Sequence, residues 1–307
     1  MQTRRGFLEA AAASCAGVAL AGLPFEAAQA KSPKLAAQDL GGSLALITGA
    51  GANVLAFGSS DGALLFDGGT AGNSKALLKM APRAVGAKRI HTLVNTHWHP
   101  QQTGSNETLG KQGVPIIAHE NTRLWLARKY INVDWAPKPF LALPKVAQPT
   151  KTFYLTDELE FGGEKIAFGH LGQAHTDGDL YAYLPRANVL VAGGVVSSKG
   201  WPLLDWQTGG WIGGLVGAYD RLLKVANEST RVVPADGPVI GRKELQAHRD
   251  MYFQIFDRLV KQLIKGMSPE EAYATAPAKE YEAQWGDSHA FVIASFKSLW
   301  GHYAPDA

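Results

Sequence analysis

The chain has 307 residues, a formal net charge of +3, 46% hydrophobic side chains and a single cysteine. That length and hydrophobic share suit one substantial domain, or a domain with an extension, and a real core. The charge is spread out, so no basic block argues for nucleic acid, and beyond the first thirty residues no apolar stretch argues for a membrane.

Residues 1–30 read as an export signal rather than as part of the fold. Thr3-Arg4-Arg5-Gly6-Phe7-Leu8 is a twin-arginine pattern, an alanine-rich run follows, and Ala28-Gln29-Ala30 is a small-residue cleavage site. The run is too short and too alanine-rich for a spanning helix. Export of this kind follows folding, so the expected location is the periplasm, with no membrane attachment after cleavage. Cys15 lies inside the signal, and Ala12, three residues before it, is not the larger aliphatic of a lipoprotein site. The mature chain therefore carries no thiol, which excludes disulfides and cysteine metal ligands.

Strands are expected at residues 44–47, 53–57 and 63–66, broken by glycine and Ser-Asp-Gly turns. Residues 73–80 have helical spacing, closed by Pro82. A strand from Ile90 to Thr96 leads into His97-Trp98-His99-Pro100-Gln101-Gln102, followed by a short helix at 106–111, a strand at 114–118 and a helix at 121–130. The proline-rich stretch 132–150 reads as a long loop. Strands return at 152–155, 165–170, 180–184 and 189–191. A loop rich in glycine and tryptophan spans 193–214, then a helix 215–225 and a strand 230–233. The remainder is helical: Met251, Ile255, Leu259 and Leu263 share one face, and Ser268-Pro269-Glu270-Glu271 is a capping box. The division is signal 1–30, main domain 31–245 and C-terminal helical extension 246–307.

The stretch around His97 carries the chemistry. Two imidazoles one residue apart at the end of a strand can converge on one cation. Metal chemistry then calls for a carboxylate and a further imidazole nearby, and the chain offers the carboxamides of Gln101 and Gln102 instead.

Five elements occur in order at strand ends: Phe66-Asp67-Gly68-Gly69, Thr96 to Gly104, Gly172 to Asp179, Ala192-Gly193-Gly194 and Pro234 to Pro238. Together they resemble the metallo-β-lactamase superfamily over roughly residues 40–245. The resemblance implies an α/β fold, an αββα sandwich of two mixed β-sheets flanked by helices, here with a C-terminal helical extension. It implies a first metal site at His97, His99 and His175. At the positions of the second site stand Gln101, Gln102, Gly194 and Asp236, so no stable second metal is expected. Asp67, with Asp179 behind the third histidine, is expected to orient the ligands from outside.

Three neutral imidazoles and a water make a tetrahedral zinc site with one open position, the arrangement of catalytic zinc, and such a metal brings its water to a pKa of about 7. The usual aspartate base is missing. Gln101 can hydrogen-bond a water but not take its proton, which leaves Asp236, or Asp177, as surrogate. Asp236 reads equally as turn chemistry in Ala-Asp-Gly-Pro. Gln101 and Gln102 read either as drift or as a neutral site binding a ligand through amides. His119 and His170 look structural. Trp98 and Trp201 are placed in a substrate pocket, Trp135 and Trp211 in loop clamps. The expected function is a periplasmic hydrolase with one zinc, or another single divalent metal, acting on an ester, lactone, amide or similar bond of a small molecule. The alternative is a pseudoenzyme that binds a ligand or partner protein on the same scaffold. The sequence does not set the oligomeric state.

Overall fold

The computed structural model describes residues 34–303; the signal-like segment 1–30 lies outside them. Strands β1 (Ala36–Gly41), β2 (Leu44–Thr48), β3 (Val54–Ser59), β4 (Gly62–Phe66), β5 (Ile90–Val94), β6 (Ile116–His119) and β9 (Lys151–Phe153) form a seven-stranded sheet in the order β1-β2-β3-β4-β5-β6-β9. It is antiparallel through β4 and parallel from β4 to β9. A second sheet has the order β10-β11-β12-β13-β14, built from Thr156–Phe161, Glu164–Gly172, Asp179–Leu184, Val189–Ser197 and Arg231–Asp236. Its last pair alone is parallel. A small hairpin, β7 (Tyr130–Ile131) with β8 (Phe140–Leu141), stands apart.

The central strands are apolar on both faces because both faces are covered, the pattern expected of buried sheets. Successive residues point to opposite sides. Leu44, Leu46, Leu55, Phe57, Leu64 and Phe66 face Phe168, Leu180, Ala182 and Val191 of the second sheet. Their neighbours Ile47, Ala56 and Leu65 face helices α1 (Ser74–Ala84) and α3 (Asn106–Lys111) through Leu77, Ala81 and Leu109. The outer face of the second sheet packs on α5 (Ile212–Val225), α6 (Arg242–Ile264) and α9 (His289–Tyr303). The result is the αββα sandwich. The helical C-terminal region, which includes α7 (Pro269–Ala274) and α8 (Glu282–Trp285), shares this outer core with the second sheet. Among the described residues no helix is long and apolar enough to cross a membrane.

Several boundaries differ from the sequence reading. Helix α1 runs through Pro82 to Ala84; the proline stands in the last turn, where its carbonyl accepts from Val85 and Ala87. Helix α4 (Glu120–Ala127) stops before Tyr130, which starts the hairpin. Strands β1 and β10 carry no strand signal in the sequence because their mostly exposed, partly charged residues lack a continuous apolar run. Strand β13 continues through the glycines read as loop, to Ser197. A two-sided core explains this too: Val195 and Val196 are fully buried.

His119 and His170 join the two sheets. Their rings stack at 3.8 Å and 12°. His119 Nδ1 accepts from Asn121 N, so its Nε2–H donates to Tyr154 O at 2.9 Å; His170 Nε2–H donates to the Asp177 carbonyl at 3.0 Å. Both rings are held neutral. Burial, and then the repulsion that two stacked rings would meet if both took a proton, push His170 down from 6.5 to about 4, and burial likewise lowers His119.

Phe66→Ala empties a fully buried position between the sheets and is expected to cost about 3–5 kcal/mol, read as a lower denaturant midpoint at unchanged slope. The stacked pair predicts a pH dependence. Because the folded pKa of His170 lies below the unfolded value, the unfolded chain binds the proton first as pH falls. Stability therefore drops between about pH 6.5 and 4. Other buried histidines contribute to this limb, so His170→Gln should flatten it rather than abolish it in midpoints measured against pH.

Candidate metal centre

The site forms where strand ends of both sheets meet. His97 and His99 follow β5 and precede the short helix α2 (Pro100–Thr103), while His175 lies in the turn between β11 and β12. His175 Nε2 stands 3.2 Å from His97 Nε2 and 3.1 Å from His99 Nδ1, and the three ligand atoms lie within 4.8 Å of one another. Nitrogens bound tetrahedrally at 2.0–2.1 Å from zinc stand about 3.3 Å apart, so the spacing is that of one shared ion. Among the described residues this is the only group of three or more His, Cys, Asp or Glu side chains so placed.

The outer nitrogen of each ring fixes its tautomer. His175 Nδ1 faces the Leu203 carbonyl, which only accepts, so Nδ1 carries the hydrogen. His99 Nε2 is 2.9 Å from Asp205 Oδ2. His97 Nδ1 is 3.1 Å from Thr96 Oγ1, whose own hydrogen goes to Asp67 Oδ2 at 2.9 Å, so here too the ring donates. Three lone pairs therefore converge. Burial favours the neutral form of all three rings; for His97 the neighbouring His175 and His99 add to this, while for His99 the Asp205 carboxylate opposes it. Neutral imidazoles with converging lone pairs repel one another, and a cation placed between them turns that repulsion into coordination. The donor set fits a divalent metal with imidazole preference.

The strand ends also hold the ligand loops. Asp67 is buried with a left-handed backbone (φ 67°), and its carboxylate takes Thr96 N at 2.8 Å and the Thr96 hydroxyl. Burial, only partly offset by those bonds, pushes it up to about 7. Asp179 clasps the His175 turn, accepting from His175 N at 2.7 Å and from Thr176 N and Oγ1 at 2.8 and 2.9 Å. Both sit outside the ligand rings and bond to the backbone that carries them. Asp205 was not singled out from sequence. It lies 106 residues from His99 in a loop without a recognisable motif, and only the folded chain brings the two together.

A groove of about 690 Å³ opens over the three histidines, lined also by Gln101, Gln102, Gly194, Trp201 and Asp236. Gln102 is buried and its Oε1 has no hydrogen-bond partner. Asp236 is more than half exposed, with Oδ1 accepting from Gly237 N at 3.0 Å and Oδ2 4.0 Å from Lys199 Nζ. Asp177 is outside the lining; its Oδ1 takes Trp125 Nε1 at 2.7 Å. The placement of Trp98 in a substrate pocket is corrected. It is 2% exposed, its Nε1 donates to Thr208 Oγ1, and it packs against Trp135 and Phe140 behind the metal loop. Trp201 does line the groove, stacked on Phe291 at 4.9 Å with Nε1 donating to Gly286 O. Trp211 stacks on His302.

At Gly194 the backbone itself lies against the ligand rings. A Cβ there would stand 2.5 Å from His175 Nε2 and 2.8 Å from His97 Cε1. At Gly193, with φ 56°, a Cβ would meet Thr96 Cβ at 2.6 Å. The strand runs too close to the ligand rings to carry an aspartate at 194 without displacing them.

Comparison with known proteins agrees with this geometry. The pattern of the metallo-beta-lactamase superfamily matches residues 47–252. The metallo-beta-lactamase type 2 of Bacillus cereus is 25% identical over 197 residues, 64% of this chain and 70% of that protein. Among solved structures, a metallo-beta-lactamase from Pontibacter korlensis aligns with a TM-score of 0.58 at 21% identity, covering 71% of this chain and 99% of that one. The stereoselective inverting sec-alkylsulfatase of a Pseudomonas species aligns at 0.67 and 16% identity, covering 89% of this chain; the chain spans about half (51%) of that protein. The chain belongs to the metallo-beta-lactamase superfamily.

Gly194→Ala is expected to weaken divalent-cation binding at least tenfold by pressing on His97 and His175 while the fold persists. Competition titration against a chromophoric chelator, with circular dichroism as control, measures both.

Proposed function

We propose that this member of the metallo-beta-lactamase superfamily is a hydrolase that works with one divalent cation, zinc by preference, held by His97, His99 and His175. The observation that carries the reading is the convergence of three ring nitrogens whose tautomers are each set by an outside acceptor. A cation so held supplies Lewis-acid polarisation of a carbonyl or ester and acidifies a water. The single-cation count rests on Gly194, which leaves no room for a bridging carboxylate, and on the carboxamides at 101 and 102.

The chain's own residues divide the remaining work. Gln101, on the groove wall, can orient a water by accepting or donating a hydrogen bond but cannot remove its proton. Asp236 is the only carboxylate among the described residues lining the groove, and it takes the role of proton acceptor. Trp201 and Leu203 offer an apolar wall for the acyl or alkyl part of a small-molecule substrate.

One observation favours a second reading, a binding protein without turnover. Gln102, at a position where the family carries a ligand, is buried with its carboxamide oxygen unpartnered, a group that a bound molecule could satisfy. Turnover separates the two readings.

The residues before the described part support a proposal of export. Arg4-Arg5 and Ala28-Gln29-Ala30 mark a twin-arginine signal cleaved after Ala30, with the mature protein in the periplasm. Replacing both arginines by lysine is expected to keep the precursor in the cytoplasm, as fractionation and mass spectrometry would report.

The protein purified without chelator should carry about one divalent metal per chain. It should hydrolyse at least one member of a panel of esters, lactones, amides, lactams and secondary alkyl sulfates, the last two because the relatives are named for them. His97→Ala should remove both metal and rate, and Asp236→Asn should lower the rate with the metal retained. A metal-loaded protein inert to the whole panel would favour the binding reading.

A further inference from the structure

Asp205 is fully buried. Its Oδ2 accepts from His99 Nε2 at 2.9 Å and from Thr208 Oγ1 at 2.6 Å, and Thr208 Oγ1 in turn accepts from Trp98 Nε1 at 3.1 Å. Its backbone N donates to His175 O at 3.0 Å, so the same residue touches both ligand loops. Its other oxygen, Oδ1, has no hydrogen-bond partner. Among the described residues its only ion-pair partner is His99, with no lysine or arginine nitrogen within 4.0 Å. It is also the only carboxylate there that hydrogen-bonds directly to one of the three rings.

We infer that Asp205 is a positioning residue for the cation: it fixes His99 with Nδ1 toward the cradle and supplies the negative charge that three neutral rings lack. The inference rests on the one-cation reading above. A carboxylate taken out of water without a counter-charge is costly, and here the balancing charge belongs on the opposite nitrogen of the His99 ring, one imidazole away. Carboxylate behind histidine behind metal is a general way to raise ligand basicity and hold ring orientation. Positions 101 and 194, where the family carries acids, are Gln and Gly, so the negative charge close to the cation comes from behind the ligands. The neighbouring helix backs the loop: Ile212 N donates to Ser298 Oγ of α9, and Lys297 lies over Trp206 at 5.6 Å. Helix α9 therefore packs on both sides of the turn that follows Asp205.

A purely structural role for Asp205, as an anchor for the 205–210 turn, predicts something different from this. The test is Asp205→Asn, with zinc affinity measured by chelator competition and thermal midpoints measured with and without zinc. The inference predicts an affinity loss of about 10–100-fold. It also predicts a metal-free midpoint that is unchanged or raised, because an uncompensated buried charge has gone, and a smaller rise on adding zinc. Affinity within about twofold of wild type would overturn it, whatever happens to the midpoints. If Asp205→Asn does not fold, Thr208→Val keeps the carboxylate and removes one of its hydrogen bonds. It should weaken zinc binding in the same direction by a smaller factor, and unchanged affinity there would overturn the inference. A wild-type protein that binds no divalent cation would bring down the one-cation reading and this inference with it. Tight zinc binding without turnover would remove the hydrolase reading alone.

Discussion

Three imidazole lone pairs pointed at one another from opposite sheets are the constraint around which the rim of this molecule is built. His97 and His99 come from the end of β5, His175 from the turn before β12, and none of the three has its outer nitrogen free. Left to themselves the rings would rotate or protonate to relieve the crowding. The structure denies both routes: carbonyl, hydroxyl and carboxylate acceptors fix the ring planes, and burial disfavours the charged forms. The local cost is carried by the apolar core between the sheets, which sets how far apart the strand ends can stand.

The second feature of the rim is how closely the backbone approaches it. Gly193 and Gly194 let β13 pass against Thr96 and against the rings of His97 and His175, at separations no side chain would tolerate. At 194 the strand itself occupies the space in which a side chain would be rooted. The loop that follows β13 does three things in a few residues: Trp201 walls the groove, the Leu203 carbonyl orients His175, and Asp205 orients His99. Phe291 and Gly286 of the C-terminal region pin that loop from outside at Trp201, and Ser298 holds Ile212, where α5 begins just beyond it. The extension is therefore part of the support of the site, which a sequence division at residue 245 does not convey.

His97 and His99 were legible in the sequence because two imidazoles one residue apart at a strand end suit metal coordination, whereas His175 was reached only through the resemblance to the superfamily. The central strands were legible because burial on both faces writes a continuous apolar run, as in Val54 to Phe57. What escaped had physical reasons. Strands β1 and β10 are largely solvent-facing and carry Asp39, Asp157, Glu158 and Glu160. Strand β13 contains the glycine pair that normally signals a loop. Trp98 sits between two ligands, which suggested the groove, yet its ring turns the other way to pack on Trp135 and Phe140. Asp205 has no local signature at all, since its partner is set by the fold of a long loop.

X-ray absorption at the metal edge of the zinc-loaded protein reads the three-imidazole cradle itself. The expected spectrum shows a single zinc with about three imidazole nitrogens at 2.0–2.1 Å and no metal–metal scattering at 3.5–4 Å. A metal–metal vector, or a first shell in which imidazole is a minority, would contradict it.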